Sequence, residues 1–154
     1  MCFERQLSHG NFTSLSVGRV ILVSRGRGAE INDSPKGARM FARLMGLKTI
    51  SPKDLMQLIR DKQVTAFDVN SPQSWNKAHV PGAVNLDPAN YTEGQLPPDK
   101  NAALVFYCSN PLCRKAPNAA RRAKSMGYHN VQVMSAGISG WISAQLPTEA
   151  LENK

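Results

Sequence analysis

The sequence predicts an α/β domain with a central parallel sheet of five strands flanked by helices. Two observations carry this. From Lys48 onward, short apolar runs alternate with helical patterns, and five such runs occur before residue 135. The helical stretches also carry their own start and stop signals, with Ser-Pro pairs at two starts and a glycine at one end. Alternation of this kind brings successive strands side by side, with helices crossing over the sheet between them.

Thr49-Ile50 is the first short strand. Ser51 then caps a helix with Pro52 at its first position and Asp54 in its first turn, where fixed φ and an acid both favour a start. Leu55, Leu58 and Ile59 follow at helical spacing. Val64 to Val69 reads as a buried strand, and Ser71-Pro72 opens a short helix that carries Trp75. Ala83 to Leu86 gives a third strand and Ala103 to Tyr107 a fourth. The next helix puts Ala116, Ala119, Ala120, Ala123 and Met126 on one face, and Gly127 ends it. Pro117 fits only the first turn of that helix, which therefore begins close to Ala116. Val131 to Met134 is the fifth strand, and Gly137 to Ala144 a last short helix.

Before Met40 the pattern is different. Gly10, Gly18, Gly26, Gly28 and Gly37 interrupt a segment without sustained periodicity. Residues 1–39 are therefore expected to be a disordered tail or a mis-assigned start, with Met40 as the natural beginning. Residues 40–154 are expected to be a single domain with its core at about 48–147.

Apolar residues make up 42% of the chain and charged residues 19%, the composition of an ordinary globular domain. The formal charge is +8. Arg114, Lys115, Arg121, Arg122 and Lys124 are five cations with no acid among them, a patch that draws anions. Nothing beside it has the aromatic interleaving or zinc-finger spacing of a nucleic-acid binder. The longest early apolar run, Val20 to Val23, is too short for a secretory signal or a membrane span. Three cysteines do not make a disulfide framework, so a reducing, cytoplasmic setting is expected. A monomer without cofactor, membrane or nucleic-acid partner completes this reading.

Cys108 is the most informative residue. It closes the apolar run Ala103 to Tyr107, and the polar loop Ser109-Asn110-Pro111-Leu112-Cys113-Arg114 leads from it into the basic helix. A helix N-terminus presents unpaired N–H groups and partial positive charge, which favour a thiolate over a thiol. Arg114 and Lys115 add charge nearby. The bland alternative is a small cysteine packed as a hydrophobe.

Three blocks resemble the rhodanese domain, the sulfurtransferase module. Phe67-Asp68-Val69-Asn70 through Ala78-His79-Val80-Pro81-Gly82-Ala83 is similar to the family's upstream signature. Val105-Phe106-Tyr107-Cys108 resembles the strand that leads to its active-site cysteine. Val133-Met134-Ser135-Ala136-Gly137-Ile138-Ser139-Gly140-Trp141 resembles its closing signature. The blocks stand in family order. Asn70 replaces a usual arginine, Ala78 and Ala136 replace glycines, and Cys113 stands where the common loop has an arginine. Arg114 comes one place later, in a loop about two residues longer than the common form. That loop resembles a branch of the family with a second cysteine five positions on.

The resemblance implies a rhodanese-like fold and a sulfurtransferase that carries sulfane sulfur as a persulfide on Cys108. The donor would be a small anion such as thiosulfate, and the acceptor cyanide, a thiol or a protein. Loop N–H groups of residues 109–114 would form a nest for the persulfide or donor. Arg114 would either position an oxyanion or bridge to an acid such as Asp68 and hold the loop. Asp68 would tie down the turns around the site, while His79, Trp75 and Trp141 serve structure. Cys113 is either inert or resolves the persulfide into a disulfide. Its spacing fits a zinc pair poorly, and no metal is expected. Two other functions stand beside this one. Cys108 with Arg114 has the C-x5-R spacing of cysteine phosphatases and of arsenate reductases with this fold. That loop offers no general acid, Tyr107 stands where that branch has a histidine, and Pro111 removes an N–H. A non-catalytic interaction module is the other.

Overall fold

The computed structural model describes Gly37, residues 42–43 and residues 45–151. The expectation for residues 1–39 therefore lies outside the described residues, Gly37 apart. Five strands form one sheet: β1 (Lys48–Thr49), β2 (Thr65–Asp68), β3 (Val84–Asn85), β4 (Leu104–Tyr107) and β5 (Val131–Val133). Their order is β1-β5-β4-β2-β3, and every pairing is parallel. Among the described residues, α1 (Pro52–Arg60) joins β1 to β2, α2 (Pro72–Lys77) joins β2 to β3, α3 (Lys115–Ser125) joins β4 to β5, and α4 (Gly137–Ser143) follows β5.

The central strand β4 is buried along its whole length, as expected where helices cover both faces of a parallel sheet. Side chains alternate between those faces. Phe67 and Phe106 stack at 5.2 Å beneath Ala116, Ala119, Ala120 and Ala123 of α3. Their small side chains let α3 lie close on the sheet. Ala66, Val105 and Tyr107 point the other way, against Leu55 of α1 and Trp141 of α4. The Trp141 indole N–H donates to the Pro147 carbonyl at 2.7 Å.

The expected helix signals act as read. Ser51 accepts the Asp54 N–H and Ser71 accepts the Ser74 N–H, each followed by a proline in the first turn. Gly127, at φ +91°, turns the chain out of α3 so that the Tyr128 N–H reaches the Ala123 carbonyl. Strands β2 to β5 are a residue or two shorter than expected and β1 lies one residue earlier, while hydrogen bonds such as Val69 N–H to the Tyr107 carbonyl continue past the regular strands.

Residues 87–102 carry no periodic signal, yet they cover one end of the core. Tyr91 is buried and its hydroxyl donates to the Ala119 carbonyl at 2.6 Å. A 3-10 turn over Glu93–Gln95 follows, closed by the Thr92 N–H donating to Gln95 Oε1. This segment also changes the reading of the basic patch. Arg122 donates to the Tyr91 and Ala89 carbonyls, and Lys124 donates to the Gly46 carbonyl. Two of the five cations thus hold backbone.

Candidate functional site

The loop from Cys108 to Arg114 leaves the C-terminal end of β4 and enters α3. In open parallel sheets, ligands bind outside the carboxyl ends of the strands. Two elements hold this loop. At its base, the first N–H groups of α4 reach it, with Ile138 donating to the Cys108 carbonyl at 2.8 Å and Ser139 to the Ser109 carbonyl at 3.0 Å. Gly137 permits that approach. It sits at φ +65°, and a Cβ there would meet Asn110 N, Ser109 C and Cys108 O at 2.6 to 2.8 Å. Within the loop, Asn110 organises a turn: its side-chain oxygen accepts the Leu112 N–H at 3.0 Å and its carbonyl the Cys113 N–H at 3.2 Å.

That turn corrects the expected nest. The Leu112 and Cys113 N–H groups serve Asn110, and Pro111 has none. The N–H groups that reach the sulfurs belong to Ser109, Asn110, Lys115 and Ala116. Those of Asn110 and Ala116 favour negative charge on Cys108, and those of Ser109 and Lys115, with the Ser109 hydroxyl, favour it on Cys113. The first turn of α3 thus does aim N–H groups at thiol sulfur.

Both cysteines are free thiols, and the Cys108 thiol donates to the Cys113 carbonyl at 3.4 Å and to the Asn110 carbonyl at 3.8 Å. Cys108 is 3% exposed, whereas Cys113 is half-buried. Burial pushes the Cys108 thiol up to about 12, and donation to Cys113 adds to the rise. Burial also works against a Cys113 thiolate. There the bonds from Cys108, the Lys115 and Ser109 N–H groups and the Ser109 hydroxyl outweigh it, and its pKa falls below the ordinary thiol value. Burial thus works against the Cys108 thiolate that the helix start was expected to favour.

A cavity of 660 Å³ opens over the pair, lined by Cys108, Cys113, Arg114 and Ser135 together with apolar Leu112 and Val133. Leu112 is 90% exposed at its rim. Arg114 is exposed at the start of α3, and its carbonyl accepts the Asn118 N–H. Ser135 was not singled out in the sequence. Its hydroxyl is buried in the cavity wall with no hydrogen-bond partner among the described residues. Its signal was positional, since it follows the carboxyl end of the strand beside β4.

Asp68 ends β2, paired in register with Tyr107. Its Oδ1 accepts the Asn70 N–H at 2.8 Å, while Oδ2 has no hydrogen bond of good geometry among the described residues. Neither oxygen takes a hydrogen bond from Arg114. Burial raises the Asp68 pKa, against the Asn70 N–H and the nearby Tyr107 hydroxyl, which favour the charged form. The Asn85 amide donates to the Asp68 and Asn70 carbonyls, both at 3.0 Å, and braces the turn that lacks the usual arginine. His79 is structural as expected: Nδ1 pairs with the Trp75 carbonyl at 2.8 Å, and its backbone bridges to Glu149. Among the described residues, no group of three His, Cys, Asp or Glu could hold a metal, and no helix is long and apolar enough to cross a membrane.

Known proteins place this arrangement. The family model of the rhodanese-like domain matches residues 51–144, from the cap of α1 to the end of α4. Thiosulfate sulfurtransferase GlpE of Shewanella oneidensis is 28% identical over 101 residues, 66% of this chain and 98% of that protein. An HTH-type transcriptional regulator of Mycobacterium tuberculosis is 31% identical over 107 residues; the aligned stretch is 64% of this chain and spans about half, 46%, of the regulator's length. Among solved structures, the BH2092 protein of Bacillus halodurans superposes with a TM-score of 0.63 at 21% identity, over 75% of this chain and 85% of that one. At that identity the likeness shows the fold, a parallel sheet with the same helical cover. With the sheet, the β4–α3 loop and the match over most of the described residues in agreement, the chain belongs to the rhodanese-like domain family.

Proposed function

We propose that the protein is a sulfurtransferase that takes sulfane sulfur from a small anionic donor such as thiosulfate and carries it as a persulfide on Cys108. The observation that carries this reading is the placement of Cys108: a thiol at the carboxyl end of β4, opening into the cavity, with two N–H groups on its sulfur. The names of two relatives support the donor and acceptor classes, namely the thiosulfate sulfurtransferase of Shewanella oneidensis and a thiosulfate:glutathione sulfurtransferase of Saccharomyces cerevisiae.

In the first step the two thiols ionise as a unit. With one proton lost, the Cys108 S–H donates to the Cys113 thiolate, and passing that proton across the hydrogen bond leaves the thiolate on Cys108. Cys108 Sγ attacks the outer sulfur of thiosulfate, and sulfite departs with the electron pair of the broken S–S bond. The Asn110 and Ala116 N–H groups face the negative charge. Arg114 at the cavity wall offers a cation to the sulfonate, and the Ser135 hydroxyl offers a further donor. An acceptor nucleophile, cyanide or a thiolate, then attacks the outer sulfur of the persulfide and restores the Cys108 thiolate.

A phosphatase reading is less well supported. The Leu112 and Cys113 N–H groups that a tetrahedral phosphate would want already serve Asn110, and the second thiol occupies the middle of the loop. Thiocyanate formation from thiosulfate and cyanide tests the proposal. The parent protein is expected to be active and Cys108→Ser inactive but folded; a variant that keeps most of the activity would remove Cys108 from the reaction.

A further inference from the structure

Persulfide transfer to an external acceptor uses Cys113 only as the proton acceptor of Cys108, although the loop is built around it. The Asn110 turn bends the chain back over Cys108. The Cys108 sulfur lies 3.4 Å from the Cys113 carbonyl oxygen, and the Ser109 and Lys115 N–H groups, the Ser109 hydroxyl and the Cys108 thiol favour negative charge on the Cys113 sulfur. Such a cradle holds a sulfur anion in one place, beside the inner sulfur of any persulfide on Cys108. Cys113 is also the more exposed of the two, on the side open to the cavity.

We propose that Cys113 is a second catalytic residue, which attacks Cys108 Sγ of the persulfide, closes a Cys108–Cys113 disulfide and expels the sulfane sulfur as hydrosulfide. This rests on the persulfide reading of Cys108. In the step, the Cys113 thiol gives its proton to the outer sulfur of the persulfide anion. Its own sulfur forms a bond to Cys108 Sγ, and the bond from Cys108 Sγ to the outer sulfur breaks with its electron pair on the departing HS⁻. The two cysteines are oxidised and the sulfane sulfur is reduced, so no outside oxidant is needed. The cavity gives the leaving anion a way out. Reopening the disulfide requires an external dithiol: one thiolate attacks the exposed Cys113 sulfur, and the second thiol displaces the mixed disulfide. The natural consumer of this cycle is therefore a dithiol reductant, with hydrosulfide as the product, in place of a single thiol that carries the sulfur away.

Full-length protein, reduced and freed of thiol, is mixed with thiosulfate alone, quenched in acid and alkylated. The tryptic peptide 101–114 contains both cysteines, so the two outcomes separate by mass. For the parent we expect one sulfite and one hydrosulfide per chain, with peptide 101–114 lighter by two hydrogen masses and closed to alkylation. Cys113→Ser is expected to release sulfite without hydrosulfide and to keep one added sulfur on Cys108. A parent peptide that keeps the added sulfur, with no hydrosulfide beyond that of the variant, overturns the role of Cys113 while leaving the persulfide standing. Absence of both sulfite and added sulfur in the parent overturns the persulfide reading and this proposal with it. The parent arm alone decides the matter should the variant fold poorly.

Discussion

Replacing Gly137 by alanine tests whether the loop is held by its contact with α4. The new methyl would lie 2.6 Å from Asn110 N, 2.7 Å from Ser109 C and 2.8 Å from Cys108 O, all backbone atoms that cannot swing aside. Alanine at φ +65° costs roughly 1–2 kcal/mol in a left-handed conformation. Forcing a methyl into a closed contact adds about 1–3 kcal/mol. The sum, about 2–5 kcal/mol, lies within what a domain of this size survives. At roughly 4 °C per kcal/mol, the melting temperature should fall by at least about 8 °C. The site should suffer more. Relief of the clash moves the Cys108 and Ser109 carbonyls off the Ile138 and Ser139 N–H groups, and a shift of about 1 Å at a reacting centre costs on the order of 100-fold in rate. Gly127→Ala is the control: its φ is +91°, but nothing lies within 4 Å of the added Cβ. It should lose only the conformational share and keep sulfur transfer. Thermal melts and thiocyanate formation on both variants decide the matter. A Gly137→Ala protein that melts with the Gly127→Ala control and transfers sulfur at the parent rate would refute the reasoning.

Three further outcomes follow from the same geometry. Asp68→Asn should be more stable than the parent at neutral pH. Burial raises the folded pKa of Asp68, so its stabilisation is complete below the unfolded value of 3.8 and fades as pH rises through the folded pKa; the gain in melting temperature should vanish in acid. Cys113→Ser should move the pH dependence of sulfite release upward, because Cys108 loses its proton acceptor. The parent rate should level off below the ordinary thiol value of 9.0, while the variant continues to climb above it, as read by stopped-flow sulfite detection. Arg122→Ala removes two bonds to backbone carbonyls and the 5.2 Å stacking on Tyr91, which should cost about 1–2 kcal/mol in a chemical melt. Its KM for thiosulfate should stay at the parent value; a raised KM would return Arg122 to the anion patch.

Much of the fold was legible because its boundaries are written in single residues. Ser51-Pro52 and Ser71-Pro72 start helices by local chemistry, and Gly127 stops one for lack of a Cβ. The alanine stripe of α3 shows the face that meets the sheet. Residues 87–102 were not legible, because Tyr91 and Leu96 reach the core one at a time from an irregular chain. The site was half legible. Its place could be read from an apolar strand running into a cysteine and a basic helix, but the ionisation of that cysteine could not. Burial works against its thiolate because Asn110 turns the loop inward and α4 closes its base, leaving Cys108 3% exposed. Gly137 was readable as a helix start. That its missing side chain makes room for the Cys108 loop depends on residues nearly thirty positions away.

The claim that Cys108 takes the sulfane sulfur is tested most directly by the sulfite released in the first turnover. Reduced full-length protein, free of small thiols and without cyanide, is mixed with excess thiosulfate, and sulfite is followed over time. A burst of one sulfite per chain in the parent, absent from Cys108→Ser, is the expected result, whatever the later fate of the sulfur. A parent without a burst, or a burst that survives in Cys108→Ser, would contradict the account.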